Sequence, residues 1–87
     1  MRIVWDEPKR KANLDKHGLD FADVIFFDWA DALIETSRVE QGKQRFKAIG
    51  RFGPMMTVVI YVELGTEAIS IVSFRPASAR ERKRVHG

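Results

Sequence analysis

In "QRFKAIGRF" (residues 44–52), Arg45, Lys47 and Arg51 fall on odd-numbered positions, while Phe46, Ala48 and Phe52 fall on even ones. Side chains of an extended strand alternate between its faces, so the three cations share one face and the apolar residues take the other. A further arginine, Arg75, ends the apolar run "EAISIVSF" immediately before a basic tail. With that strand end beside the middle of the 45–51 segment, the guanidinium groups converge. Arginine forks bind phosphoryl oxygens bidentately and stabilise the added charge of a pentacoordinate transition state, so a phosphate is the chemistry this cluster suits. The competing reading is a solvated strand face paired with Glu35, Glu63 or Glu67.

A second constellation lies in "KANLDKHGLDF" (11–21), where helical spacing puts Lys9, Ala12, Asn13, Lys16 and His17 on one face. That face is polar where a core-facing stripe would be apolar. His17 admits three readings. Its ordinary pKa of about 6.5 suits proton transfer near neutral pH. Its place at the end of the helix suits a structural role, through the negative end of the dipole and a bond to Asn13 or a backbone carbonyl. As a metal ligand it lacks partners. Glu81 either anchors the tail by pairing with an arginine or serves acid catalysis, and anchoring is the stronger reading. Trp5 reads as packing beneath the first helix. The run "SARERKR", with Arg80 and Arg82, reads as a grip on a nucleic-acid backbone or as a docking surface for an acidic protein.

The elements that position these residues follow from local pattern. "RIVW" (2–5) reads as a strand, Asp6 as the cap of a helix that tolerates Pro8 in its first turn, and Gly18 as its left-handed stop after His17. Asp20 caps a second helix, "FADVIFF", with Phe21, Val24, Ile25 and Phe27 as core. "DALIETSR" and "QRFKAIGRF" are strands, "GP" at 53–54 is a turn, and "MMTVVIYVE", apolar on both faces, is a central strand. "LGT" is another turn, "EAISIVSF" the last strand, and Pro76 and Ser78 introduce a short basic helix. The expected order is β-α-α-β-β-β-β-α, a compact α+β domain with a mostly antiparallel sheet.

Eighty-seven residues bound this to a single domain, 1–87. A 45% hydrophobic content with three prolines is that of a folded chain. The absence of cysteine excludes disulfides, a thiolate nucleophile and Cys-containing zinc sites, and two histidines alone make no metal centre. No metal and no cofactor is therefore expected. The N-terminus lacks the apolar region of a signal peptide and the longest apolar run is too short for a bilayer, so a cytoplasmic protein with no membrane association is expected. The net charge of +3 is uneven: residues 1–74 carry ten basic and eleven acidic side chains, whereas 75–87 carry five and one. A basic C-terminus of this kind points to a polyanion or an acidic protein as partner.

Trp5 to Phe21 carry a more specific pattern. "WDEPKRKANLDKHGLDF" resembles the signature of the BrnT family, the ribonuclease toxins of bacterial type II toxin–antitoxin modules, roughly W-D-x-x-K-x-x-x-N-x-x-K-H-G-[VIL]-x-F. It is met at Trp5, Asp6, Lys9, Asn13, Lys16, His17, Gly18 and Phe21. "RFKAIGRF", "VVIYVE" and "IVSFRPASARER" are similar to further family stretches, so the resemblance spans nearly the whole chain. Two departures stand out: Lys43 where the family usually has an acidic residue, and Val85 where it often has a tyrosine.

The resemblance implies a RelE-like fold and metal-independent cleavage of RNA. It also implies neutralisation by a cognate BrnA-like antitoxin with a ribbon-helix-helix domain, in a hetero-oligomer that meets DNA only through the antitoxin. The expected catalytic residues are Arg45, Arg75, His17 and Glu81. Arg45 and Arg75 would hold the scissile phosphate, and His17, or failing it Lys47, would move a proton. Lys9, Lys16, Lys47, Arg51, Arg80 and Arg82 would contact the RNA backbone. The rival readings are a weak or inactive basic module that docks an antitoxin and co-regulates its operon, and a RelE-like toxin that acts on a protein.

Overall fold

The computed structural model describes residues 1–86, with side chains to Val85. The elements are β1 (Arg2–Trp5), α1 (Glu7–His17), a single 3-10 helix η1 (Phe21–Phe26), β2 (Leu33–Glu40), β3 (Lys43–Phe52), β4 (Met55–Leu64), β5 (Ala68–Pro76) and α2 (Ala79–His86). The strands form one sheet in the order β1-β5-β4-β3-β2. β2 to β5 form an antiparallel meander, and only β1 runs parallel to its neighbour, β5. β4, apolar on both faces, is the middle strand.

Local chemistry sets the element ends. The Asp6 carboxylate accepts from the Lys9 N–H at 3.2 Å at the start of α1, Pro8 sits in the first turn where its missing N–H costs nothing, and Gly18 closes the helix at φ 71°. Gln41 and Gly42, both at positive φ, turn β2 into β3.

The second expected helix is a 3-10 turn, and this changes its inner face. At three residues per turn, Phe21, Val24 and Phe27 align and are buried, whereas Ile25 and Phe26 are 67% and 73% exposed. Ile25 is therefore not a core residue. Phe21, Val24 and Phe27 pack with Ala48, Val59, Tyr61, Ile69, Ile71 and Phe74 into the larger core, on the sheet face beneath η1. The other face carries a smaller cluster of Ile49, Val58 and Ala77, against which Leu33, Met56, Ile60 and Val85 pack. α2 covers this second face.

α1 contributes no buried residue. Its polar stripe meets the edge of the sheet: β1 pairs with β5 only as far as Trp5 opposite Ile71, and beyond that point the α1 face lies along Val72 and Ser73. Polar side chains fit here because a free strand edge offers backbone N–H and C=O groups that need partners.

Candidate functional site

Strand register decides which cations share a face. Lys47 stands opposite Ile60 of β4 and Glu35 of β2, and Arg75 stands opposite Val58, itself the partner of Ile49. All point to the face that α2 covers. Arg45, opposite Val62, is on the same face but four residues further along β4 than Arg75, or about 13 Å at strand spacing.

Glu81 draws this face together. Its side chain is 9% exposed and accepts from Arg75 Nη1 and Nη2 at 2.7 and 2.8 Å, a bidentate fork, while Lys47 Nζ lies 3.0 Å away. Ser78 and Glu81 also cap α2 reciprocally: the Ser78 N–H donates to the Glu81 carboxylate at 2.9 Å, and the Glu81 N–H donates to Ser78 Oγ at 3.2 Å. This S-x-x-E capping box was present in the sequence as a signal and places Glu81 at the sheet end of the helix. The Arg75 fork, with help from the Ser78 N–H and Lys47, holds the Glu81 carboxyl far below the usual carboxylate range against the opposing effect of burial. It is thus ionised at neutral pH, and the same fork raises the Arg75 pKa. One carboxylate facing two cations leaves a net positive charge at the surface.

The remaining expected residues divide by location. Lys9, Asn13, Lys16 and His17 line an open groove of about 310 Å³ with Ala12, Val72 and Ser73. Asn13 gives its amide to backbone carbonyls of Leu19 and Phe74 rather than to His17. Burial lowers the His17 pKa, and the positive charges of Lys16 and Arg75 lower it further, which favours the neutral imidazole. Ser73, which lines the groove and stands opposite Ile60 on the face that α2 covers, joins the groove to the basic face. Arg51, opposite Met56, is on the same face two residues along β4 from Val58, on the side away from Arg45, and lines a small pocket with Asp28 and Asp31. Arg80 and Arg82 are exposed on α2, Arg82 donating to the Ala77 carbonyl at 3.0 Å. Arg84 pairs with Glu35 and fastens α2 to β2. Lys43 begins β3 opposite Glu40, and Val85 fills the apolar cluster under α2.

Among the described residues no group of three or more His, Cys, Asp or Glu side chains is placed to hold a metal ion. None of the helices described is long and apolar enough to cross a membrane.

A five-stranded sheet with η1 over its larger core and α1 along its β5 edge, and with a basic face closed by a short C-terminal helix, defines a RelE-like α+β domain. The chain matches the family model described as the ribonuclease toxin BrnT of type II toxin–antitoxin systems over residues 5–81, and it belongs to that family. The crystal structure of the Brucella abortus ribonuclease toxin BrnT is similar to it at 43% identity, covering 90% of this chain and 97% of that one with a TM-score of 0.69. No curated protein matches the sequence.

Proposed function

We propose that this chain is an endoribonuclease that cleaves RNA without a metal ion and is held in check by a cognate BrnA-like antitoxin with a ribbon-helix-helix domain. The observation that carries this reading is the Arg75–Glu81–Lys47 constellation, in a chain that belongs to a family of ribonuclease toxins. Glu81 has its charge committed to Arg75 and Lys47, so its part is to orient those cations rather than to carry a proton.

In this mechanism the scissile phosphate sits on the basic face between Arg75 and Arg45, with Lys47 between them. The guanidinium groups neutralise the charge that builds on the phosphoryl oxygens as the 2′-hydroxyl attacks phosphorus. Neutral His17 accepts the 2′-hydroxyl proton, and the Lys47 ammonium, or a solvent water, donates the proton with which the 5′-oxygen leaves. The products are a 2′,3′-cyclic phosphate, or a 3′-phosphate once water opens the ring, and a 5′-hydroxyl end. Lys9 and Lys16 extend positive charge along the groove, and Arg80 and Arg82 extend it over α2, where both can steer an RNA backbone.

Inducing the isolated chain in cells tests this. Growth arrest with RNA loss, absent from Arg75→Ala and relieved by co-expressed antitoxin, is the expected result. Arrest with intact RNA would favour action on a protein, and no arrest would favour a non-catalytic module.

A further inference from the structure

β5 carries a one-residue irregularity whose consequence is chemical. From Ala68 to Ile71 the strand pairs with β4 in one register, Tyr61 standing opposite Ile71, but from Ser73 onward the register has advanced by one, Ile60 standing opposite Ser73. Val72 is the extra residue. Had the first register continued, Arg75 would stand opposite Thr57, whose hydroxyl is buried against the Gly50 carbonyl on the larger-core side. Phe74 would turn out of that core, where it is fully buried. The bulge therefore puts Phe74 into the core and Arg75 onto the face of Lys47 and Glu81, because a single-residue shift inverts every side chain that follows.

Burial of Phe74 selects the direction of this shift, but the backbone at Phe74 also needs partners, since β1 has ended. Asn13 supplies them. Its Nδ2 donates to the Phe74 carbonyl at 2.8 Å and to the Leu19 carbonyl at 2.9 Å, and its Oδ1 accepts from the Phe74 N–H at 3.2 Å. A side-chain amide on a helix thus takes the place of a strand residue and satisfies both backbone polar groups of Phe74, the residue before Arg75.

We infer that Asn13 is a positioning residue for Arg75: by holding the backbone just after the Val72 bulge, it fixes the guanidinium that Glu81 then orients. The inference rests on the ribonuclease reading for its kinetic consequence but not for its structural one. Misplacement of a catalytic group by about 1 Å can cost on the order of 10²-fold in rate.

Asn13→Ala should lower kcat for RNA cleavage by roughly 10- to 100-fold with KM within about twofold. The Asn13→Ala/Arg75→Ala double variant should be no slower than Arg75→Ala alone. Nitrogen-15 spectra should show the Arg75 guanidinium signals, sharp in the wild-type chain, broadened in the folded Asn13→Ala variant. A folded variant with unchanged Arg75 signals would overturn the inference whatever its activity. If the wild-type chain cleaves no RNA, the ribonuclease reading falls, and the guanidinium spectra alone decide the role of Asn13. If Asn13→Ala fails to fold, the wild-type side-chain amide decides: Asn13 Hδ2 protons strongly protected from solvent exchange support the inference, and exchange at the rate of a free asparagine overturns it.

Discussion

Glu81→Gln is the perturbation whose outcome the structure determines most closely. Glutamine keeps the length of the side chain and can still complete a capping box with Ser78, so the substitution removes the charge and spares the helix cap. What it leaves behind are Arg75 and Lys47, two cations facing one another without their shared carboxylate. Breaking a buried ion pair costs about 3–5 kcal/mol, and an exposed one about 0–1. Here the carboxylate is 9% exposed while the two cations are 29% and 27% exposed, so water relieves part of the penalty. We expect a loss of about 2–3 kcal/mol at pH 7, read as a fall in urea midpoint, and a fall in melting temperature of roughly 10–20 °C for a domain of this size.

The same variant predicts a pH dependence. A carboxyl held below its unfolded value of about 4.3 contributes stability in full above that pH and loses it as the solution becomes more acidic, by about 1.4 kcal/mol per pH unit. The gap between wild type and Glu81→Gln should therefore narrow by about 2 kcal/mol as pH falls from about 4.3 to 3 and go on narrowing below that. A variant within about 0.5 kcal/mol of wild type at pH 7, or a gap that is the same at pH 3 as at pH 7, would refute the assignment of Glu81 as the organiser of this face.

Two further predictions concern other parts of the fold. At Gly50 an added Cβ would lie 2.8 Å from Cζ of the buried Phe27 ring and 3.3 Å from the Asp28 carbonyl oxygen. Gly50→Ala should therefore destabilise by about 1–3 kcal/mol in urea titration, and an unchanged midpoint would contradict the packing described. His17, followed by proton NMR, should titrate below its ordinary 6.5, with Arg75→Ala raising the midpoint part of the way back. Its folded pKa being depressed, it favours folding fully only above about pH 6.5 and less as pH falls, and a midpoint at or above 6.5 would contradict its placement.

How far this fold can be read from sequence depends on whether a feature is local. The α1 bounds were legible because Asp6, Pro8 and Gly18 act within a turn of where they sit, and β4 was recognisable as central from its apolar character on both faces. Ile25 departs from the helical expectation because spacings of three and four residues are hard to tell apart over six residues. The Val72 bulge and the parallel pairing of β1 arise from contacts between distant segments and leave no local signal. For the site, the strand pattern placed Arg45, Lys47 and Arg51 on one face correctly. It carried no information that Arg51 would lie near Asp28 and Asp31 or that Lys47 rather than Arg45 would share Glu81 with Arg75. The polar face of α1 made sense only once the free edge of β5 was known.

The most direct test of the central claim is digestion of purified RNA by the wild-type chain, Arg45→Ala and Arg75→Ala, each with and without excess EDTA, with the product ends identified. Wild-type cleavage is expected to survive the chelator, to leave 2′,3′-cyclic or 3′-phosphate and 5′-hydroxyl ends, and to disappear in both folded arginine variants. Cleavage abolished by EDTA, or retained at the wild-type rate by Arg75→Ala, would contradict that claim.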